Sequence, residues 1–279
     1  PGLYPYQWNW DSAFAALGFA QFDIVRAWQE LDTLFKAQWA DGMVPHIVFH
    51  KSDPGYYPGP DVWGGTGPLP SSGITQPPIA ATMARLIFEK DKQAGEVHIR
   101  ALFPKMRAWH QWFMQWRLDQ GAVCVTHPWE AGRDNTPEWD GPMERIDPIG
   151  VGEYERRDTK HVDGSMRPTK FDYDRYIWLV QLGKRLNWDQ QQLLEENPFR
   201  VADPTMTFTL LRAQRDLLAL GQELGLDIEG LEVEIAMLEN GAASLWNDAI
   251  QSYDARDAKT GEWANCVSNA SFLCWYAQE

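Results

Sequence analysis

Cysteine is scarce, at three residues in 279. Cys124, Cys266 and Cys274 include no CxxC pair, so neither a disulfide framework nor a zinc site is expected, and a reducing, cytoplasmic setting follows. Basic residues are also short: 25 Lys and Arg against 39 Asp and Glu leave a net charge of −14. That balance repels nucleic acid, and no basic patch offsets it. No apolar run is long enough for a bilayer span, so no membrane role is expected. P-loop, GxSxG and dinucleotide fingerprints are absent. The sequence opens at Pro1 without an initiating Met and says nothing about a leader segment.

What the chain has in excess is tryptophan, 15 residues, about four times ordinary usage. Tryptophan at that density packs bulky cores or stacks on flat ligand faces such as those of sugars. Position separates the two uses. Trp109, Trp112, Trp116 and Trp178 recur at helical core spacing and are read as packing, as are the lone His98 and His110.

Helical periodicity predicts helices over 11–22, 23–38, 77–91, 95–117, 171–186, 203–224 and 229–247, with a last one running from 265 to the end. Only 44–49 and 123–126 have strand character. The expected class is all-α, one domain over 1–279, built from helix pairs with long loops at 39–75 and 120–170. Loops of that length in a folded domain usually carry function. Paired helices with functional loops at one end suggest an α/α barrel. About eight helices, where six pairs would close a ring, leave a gap.

Four segments carry chemistry. In Tyr4-Pro-Tyr-Gln-Trp-Asn-Trp-Asp11, Asp11 can cap the following helix, but capping leaves Tyr4, Trp8 and Trp10 unexplained. Aromatic faces beside a carboxylate suit a sugar and its hydroxyls. In the second, His46 and His50 would form a metal pair on a helix. Pro45 and the β-branched neighbours argue against a helix, which makes His46 a hydrogen-bonding group near the site and the metal set none. The third joins Tyr56-Tyr57-Pro-Gly-Pro to Ser72-Gly-Ile-Thr-Gln76, where Gln76 either faces a ligand or caps a helix. The fourth, His127-Pro-Trp-Glu-Ala-Gly-Arg-Asp-Asn-Thr-Pro-Glu-Trp-Asp140, places Trp129 and Trp139 on either side of Asp134. Apolar flanks would exclude water and keep a carboxyl protonated, as a general acid requires. Gly132 lets the backbone approach a ligand. Arg133 works against a protonated neighbour unless its side chain points away.

These segments, in order, resemble glycoside hydrolase family 63, specifically its small bacterial members acting on glucosylglycerate and mannosylglycerate. Trp8-Asn-Trp-Asp11, Gly42-Met-Val-Pro-His46, Ser72-Gly-Ile-Thr-Gln-Pro-Pro78 and Trp129-Glu-Ala-Gly-Arg-Asp-Asn-Thr-Pro137 carry the likeness. The resemblance implies an (α/α)6 toroid and inverting hydrolysis of an α-glucosidic or α-mannosidic bond, with Asp134 as the general acid. It places Tyr4, Trp8, Asp11, Gln76 and Trp129 in the sugar pocket, with Tyr173 on the wall and Arg167 at the acid end of the substrate. Ala131 stands where Ser is more usual. The family's base, a late Glu, has no counterpart before Glu279, so the chain is expected to stop short of it and to be inactive alone. No cofactor is implied; some larger relatives bind calcium, which nothing here demands. The expected partner is a small saccharide, with a homo-oligomer left open. A trehalase-like toroid enzyme and a non-catalytic carbohydrate-binding relative are the alternatives.

Overall fold

Most of the longer helices start at a side-chain cap. In a computed structural model, which describes residues 5–51, 53, 55–156, 163 and 167–278, β1 (Gln7–Trp8) runs directly into α1 (Asn9–Phe19). Trp8 sits at the cap position without a side-chain bond, and Asp11 lies in the first turn instead. Asp11 is therefore not the cap. Asp23 caps α2 (Ile24–Phe35) by accepting from the Arg26 N–H. After β2 (Ile47–Val48) and the one-turn α3 (Pro60–Trp63), α4 (Ala80–Phe88) starts three residues later than its Pro-Pro signal predicted. Asp91 caps α5 (Lys92–Trp116), which carries Pro104 internally.

The strands β3 (Leu118–Asp119) and β4 (Ala122–Val125) form a hairpin, and the one-turn α6 (Asp140–Met143) follows the Trp-rich loop. Thr169 caps α7 (Lys170–Arg185), Asp189 caps α8 (Gln190–Glu196), and Asp203 caps α9 (Pro204–Leu224) after β5 (Val201–Ala202). Each of these caps satisfies a helix N–H that would otherwise lack a partner. Helix α10 (Leu231–Ala243) ends four residues before the predicted boundary, because the chain turns into the paired strands β6 (Trp246–Asn247) and β7 (Ser252–Tyr253).

Beyond β8 (Arg256–Asp257) the predicted terminal helix is a 3-10 turn over Asn269–Phe272 followed by the single turn α11 (Cys274–Ala277). Asn265 has φ 54° and Ser268 forms a capping box, so the helix cannot begin at 265. Gln278, at φ 67°, ends α11.

The protein is helix-rich, but the all-α expectation needs correcting for three small sheets among the described residues. Strands β3-β4-β5-β8 form an antiparallel ribbon, while β1 pairs with β2 and β6 with β7. These short pairings place the loops. Gln7 faces Val48 across β1–β2, and the Asn9 N–H donates to the His46 carbonyl at 3.0 Å. The His46 N–H in turn donates to Ile74 at 2.7 Å. The first three chemistry-bearing segments are thereby stitched together.

One apolar cluster runs from Ala13 to Ala277. Trp28, Trp63, Trp109, Trp112 and Trp139 are fully buried in it, and Trp116 and Trp178 pack partly buried against it. His98 stacks on Trp28 at 5.0 Å, and buried His110 bonds Gln214, so the packing readings hold.

Candidate active site

Strand β4 delivers the chain into a 3-10 turn, Pro128–Ala131, of which Trp129 lines the site. Trp129 is almost buried and is ringed by His127 (4.6 Å), Tyr176 (5.7 Å), Tyr173 (5.8 Å) and Trp63 (5.9 Å). His46 stacks on it at 6.3 Å and 25°. His127 Nδ1 accepts the Trp129 N–H, and its Nε2 faces the Tyr176 carbonyl at 3.0 Å, which fixes the proton on Nε2. Burial pushes both His46 and His127 down to about 3. His46 and His50 do not converge: His50 bonds Gln7 at 2.7 Å. Among the described residues no three His, Cys, Asp or Glu are grouped to hold a metal.

Gly132 ends the turn at φ 66°, and a β-carbon there would meet Trp10 Cζ2 at 2.3 Å. The close approach expected at Gly132 is therefore made by an indole of the same chain. The Trp10 N–H donates to Gln76 Oε1 at 3.2 Å, so buried Gln76 orients α1 rather than capping α4. Asp134 follows in a turn and is exposed. Its carbonyl accepts from the Tyr176 hydroxyl at 2.8 Å. Asp134 lines a cavity of about 450 Å³ with Trp129, Gly132, Arg133, Asn135, Arg167, Tyr173 and Asn269.

The expected bracket of two indoles around Asp134 is not formed. Trp139 is buried, its Nε1–H donates to the Arg133 carbonyl at 3.0 Å, and its face lies under the Arg133 guanidinium at 5.3 Å. The arginine that threatened the acid takes up this ring instead. Arg133 points inward to Glu138 (2.9 Å) and Asp203 (2.5 Å). Burial works against its charge, but the two carboxylates outweigh that and hold it cationic.

Other predicted residues divide between two places. Trp8 and Asp11 line a separate cavity of about 520 Å³ with Gln7, Ser12, Arg26, Glu30 and His50. Partial burial raises the Asp11 carboxyl above its ordinary value, against a lowering backbone hydrogen bond. Tyr57 is outside the Asp134 cavity lining but joins it through aromatic contacts. It stacks on Tyr154 at 4.6 Å, Tyr154 lies 5.7 Å from Tyr173, and Tyr173 touches Trp129. Tyr4 lies outside the described residues. Sequence reasoning missed Tyr154, Tyr176 and Asn269. Tyr154 is a lone aromatic among charges, Tyr176 reads as helix core, and Asn269 fell inside a wrongly predicted helix.

Glu130 and Glu138 are both structural. Glu130 is fully buried and accepts from the Thr126 N–H and hydroxyl, the Thr75 N–H and Arg117. Glu138 is bound to Arg133 and to the Ser268 hydroxyl at 2.7 Å. No second carboxylate lines the Asp134 cavity among the described residues.

Residues 4–279 match the mannosylglycerate hydrolase MGH1-like glycoside hydrolase domain, and the chain belongs to that family. It is 46% identical to a mannosylglycerate hydrolase of Thermus thermophilus over 99% of this chain and 68% of that protein. It is 44% identical to mannosylglycerate hydrolase MGH2 of Selaginella moellendorffii, over 99% of this chain and 58% of that one. A glucosylglycerate hydrolase of Mycolicibacterium hassiacum is 36% identical over 80% of the chain and 54% of its own length. The chain thus spans between about half and two thirds of these relatives. Its fold superposes on the crystal structure of a Thermus thermophilus GH63 mannosylglycerate hydrolase in complex with Tris and D-glycerate. The TM-score is 0.95 at 45% identity, covering 99% of this chain and 68% of that one. A glucose complex of the same enzyme gives 0.88. Among the described residues no helix is long and apolar enough to cross a membrane.

Proposed function

We propose that this chain forms an arc of an (α/α)6 toroid that hydrolyses an α-mannosidic or α-glucosidic bond to glycerate with inversion, using Asp134 as the general acid. The observation that carries the reading is a single cavity that brings Asp134 and Arg167 together against Trp129 and Tyr173. Trp129 offers an apolar ring face for the sugar, Asp134 a proton for the leaving oxygen, and Arg167 a cation for the glycerate carboxylate. Relatives named for mannosylglycerate and glucosylglycerate support the substrate class. Trp8 and Asp11 line a different cavity and take no part in this one.

Inversion needs a second carboxylate roughly 6.5–9.5 Å from the first, activating water on the opposite sugar face. With Asp134 the one carboxylate lining this cavity among the described residues, and Glu130 and Glu138 locked, the 279 residues alone are expected to give no turnover. The chemistry needs no cofactor, so a chelator leaves the rate of the intact protein unchanged. The deciding experiment follows product anomers by proton NMR with mannosylglycerate, glucosylglycerate, trehalose and a neutral α-mannoside. The expected outcome is release of the β-anomer, fastest from a glycerate substrate. Preference for trehalose overturns the substrate class, and first-formed α-anomer overturns the mechanism.

A further inference from the structure

A general acid must keep its proton near neutral pH, yet Asp134 is exposed and follows an arginine in sequence. The geometry around Arg133 resolves the conflict. Its Nη1 donates to both Glu138 oxygens, at 2.9 and 3.0 Å, and lies 3.2 Å from the Ser268 hydroxyl. Its Nη2 donates to Asp203 at 2.5 Å. The side chains of Arg133, Glu138 and Asp203 are 8%, 1% and 0% exposed, so water screens them poorly. One cation and two anions leave one surplus negative charge.

We propose that Arg133, Glu138 and Asp203 form a positioning cluster that engages both ends of the guanidinium with carboxylates and leaves net negative charge behind the Asp134 loop, favouring the protonated acid. The proposal rests on reading Asp134 as the proton donor.

The cluster also fixes where Asp134 stands. Asp203 accepts from the Met206 N–H at the start of α9 with its other oxygen, and Ser268 caps the turn at Asn269. The loop is thereby tied to two separate segments. Trp139 on the Arg133 carbonyl and Tyr176 on the Asp134 carbonyl clamp the backbone on both sides of the acid. Arg167 lines the same cavity and opposes the effect, and Arg156 lies over Tyr173 at 4.1 Å. Asp140 and Asp172, with Asp134, act on the Tyr176 phenol, while Asp11 follows Trp10 on α1. The Cys266 thiol senses Glu138 and Arg133 from the other side. These groups are common to the parent and to the variants below, so they cancel in the comparison.

The test compares pH profiles of kcat for a glycerate glycoside in the intact protein. Glu138→Gln and Asp203→Asn each remove one negative charge, keep the shape, and leave Arg133 one carboxylate; Asn also caps helices well. Loss of one charge at a separation on the order of 10 Å, with an effective dielectric of about 20–40, moves the alkaline limb down by about half a unit to one unit. Rates below that limb can fall by a common factor, because the cluster also fixes the loop, and the position of the limb is the readout. Ser268→Ala removes a hydroxyl but no charge and should leave the limb in place. If one charge variant fails to fold by circular dichroism, the other decides. If both carboxylate variants lose rate equally at every pH with the limb unmoved, or if Ser268→Ala moves it, the cluster is only structural and the proposal is overturned. Asp134→Asn in the same series separates the two failures. If it keeps the alkaline limb and the rate, the proton-donor reading itself is wrong.

Discussion

Gly132 gives the sharpest structural test, because two independent costs fall on one methyl group. In Gly132→Ala the new β-carbon lies 2.3 Å from Trp10 Cζ2, well inside contact distance, and φ stays at 66°. The left-handed backbone costs roughly 1–2 kcal/mol for a residue with a β-carbon. Forcing the indole aside costs a further 1–3 kcal/mol or so, as overpacking does elsewhere. A stiffer unfolded chain returns about 0.4–1 kcal/mol. The net expectation is about 2–4 kcal/mol of destabilisation, read as a lower urea midpoint with unchanged slope. Trp10→Ala in the same background removes the steric part but not the backbone part, so the double-mutant cycle should show a coupling of about 1–2 kcal/mol. Because Asp134 lies two residues on, kcat should also fall at least about tenfold, as a displaced catalytic group loses its geometry. A Gly132→Ala protein within 0.5 kcal/mol or so of the parent, below the scale of any named strain, refutes the reasoning.

Three further expectations follow from the same geometry. Glu130→Gln removes the negative charge paired with the buried Arg117 guanidinium, 1% exposed, and puts an NH2 where a carboxylate oxygen accepted the Thr75 or Thr126 N–H; a loss of about 3–5 kcal/mol is expected, and one below about 1 kcal/mol contradicts the structural role. His46, His110 and His127 are held neutral by burial, with folded values near 3, 4 and 3. The unfolded chain binds protons that the folded one does not, so stability is full above about pH 6.5 and falls as pH drops toward 4, by up to about 1.4 kcal/mol per unit for each group. A urea midpoint that is flat between pH 6.5 and 4, or a His127→Asn variant with unchanged slope, contradicts this. Arg167→Ala should raise KM for a glycerate glycoside by at least tenfold, the loss of a charged hydrogen bond of about 1.5–3 kcal/mol, and leave a neutral α-glycoside nearly unaffected; equal effects on both remove Arg167 from carboxylate recognition.

How much of this was legible beforehand differs by interaction range. Long helices such as α5 and α9 were readable because a periodic apolar stripe and an aspartate cap are local signals. Strands β2 and β4 overlap the two spans read as strand-like, but β5 and β8 were not readable, since they are two-residue pairings made only when distant segments meet. Asp134, Trp129, Arg167 and Tyr173, expected together from the dense loop and the family likeness, line one cavity, while Trp8 and Asp11, expected with them, line another. The partner of Trp139 was not. Adjacency in sequence suggested that it flanks Asp134, whereas the guanidinium of Arg133 takes its face. Asp11 misled in a similar way. An aspartate before a helical run reads as a cap, but the helix begins two residues earlier, through backbone pairing to His46.

The most direct measurement is kcat for Asp134→Asn on two substrates that differ in their need for protonation. With mannosylglycerate the leaving alkoxide requires a proton, and the loss should be at least in the range of about 10²–10⁴ typical of a general acid. With an aryl α-mannoside whose phenolate departs unaided, the same variant should keep its rate within about tenfold of the parent, because the lost proton transfer no longer limits that reaction. Equal losses on both substrates, or a residual rate within about tenfold on mannosylglycerate, would contradict Asp134 as the proton donor.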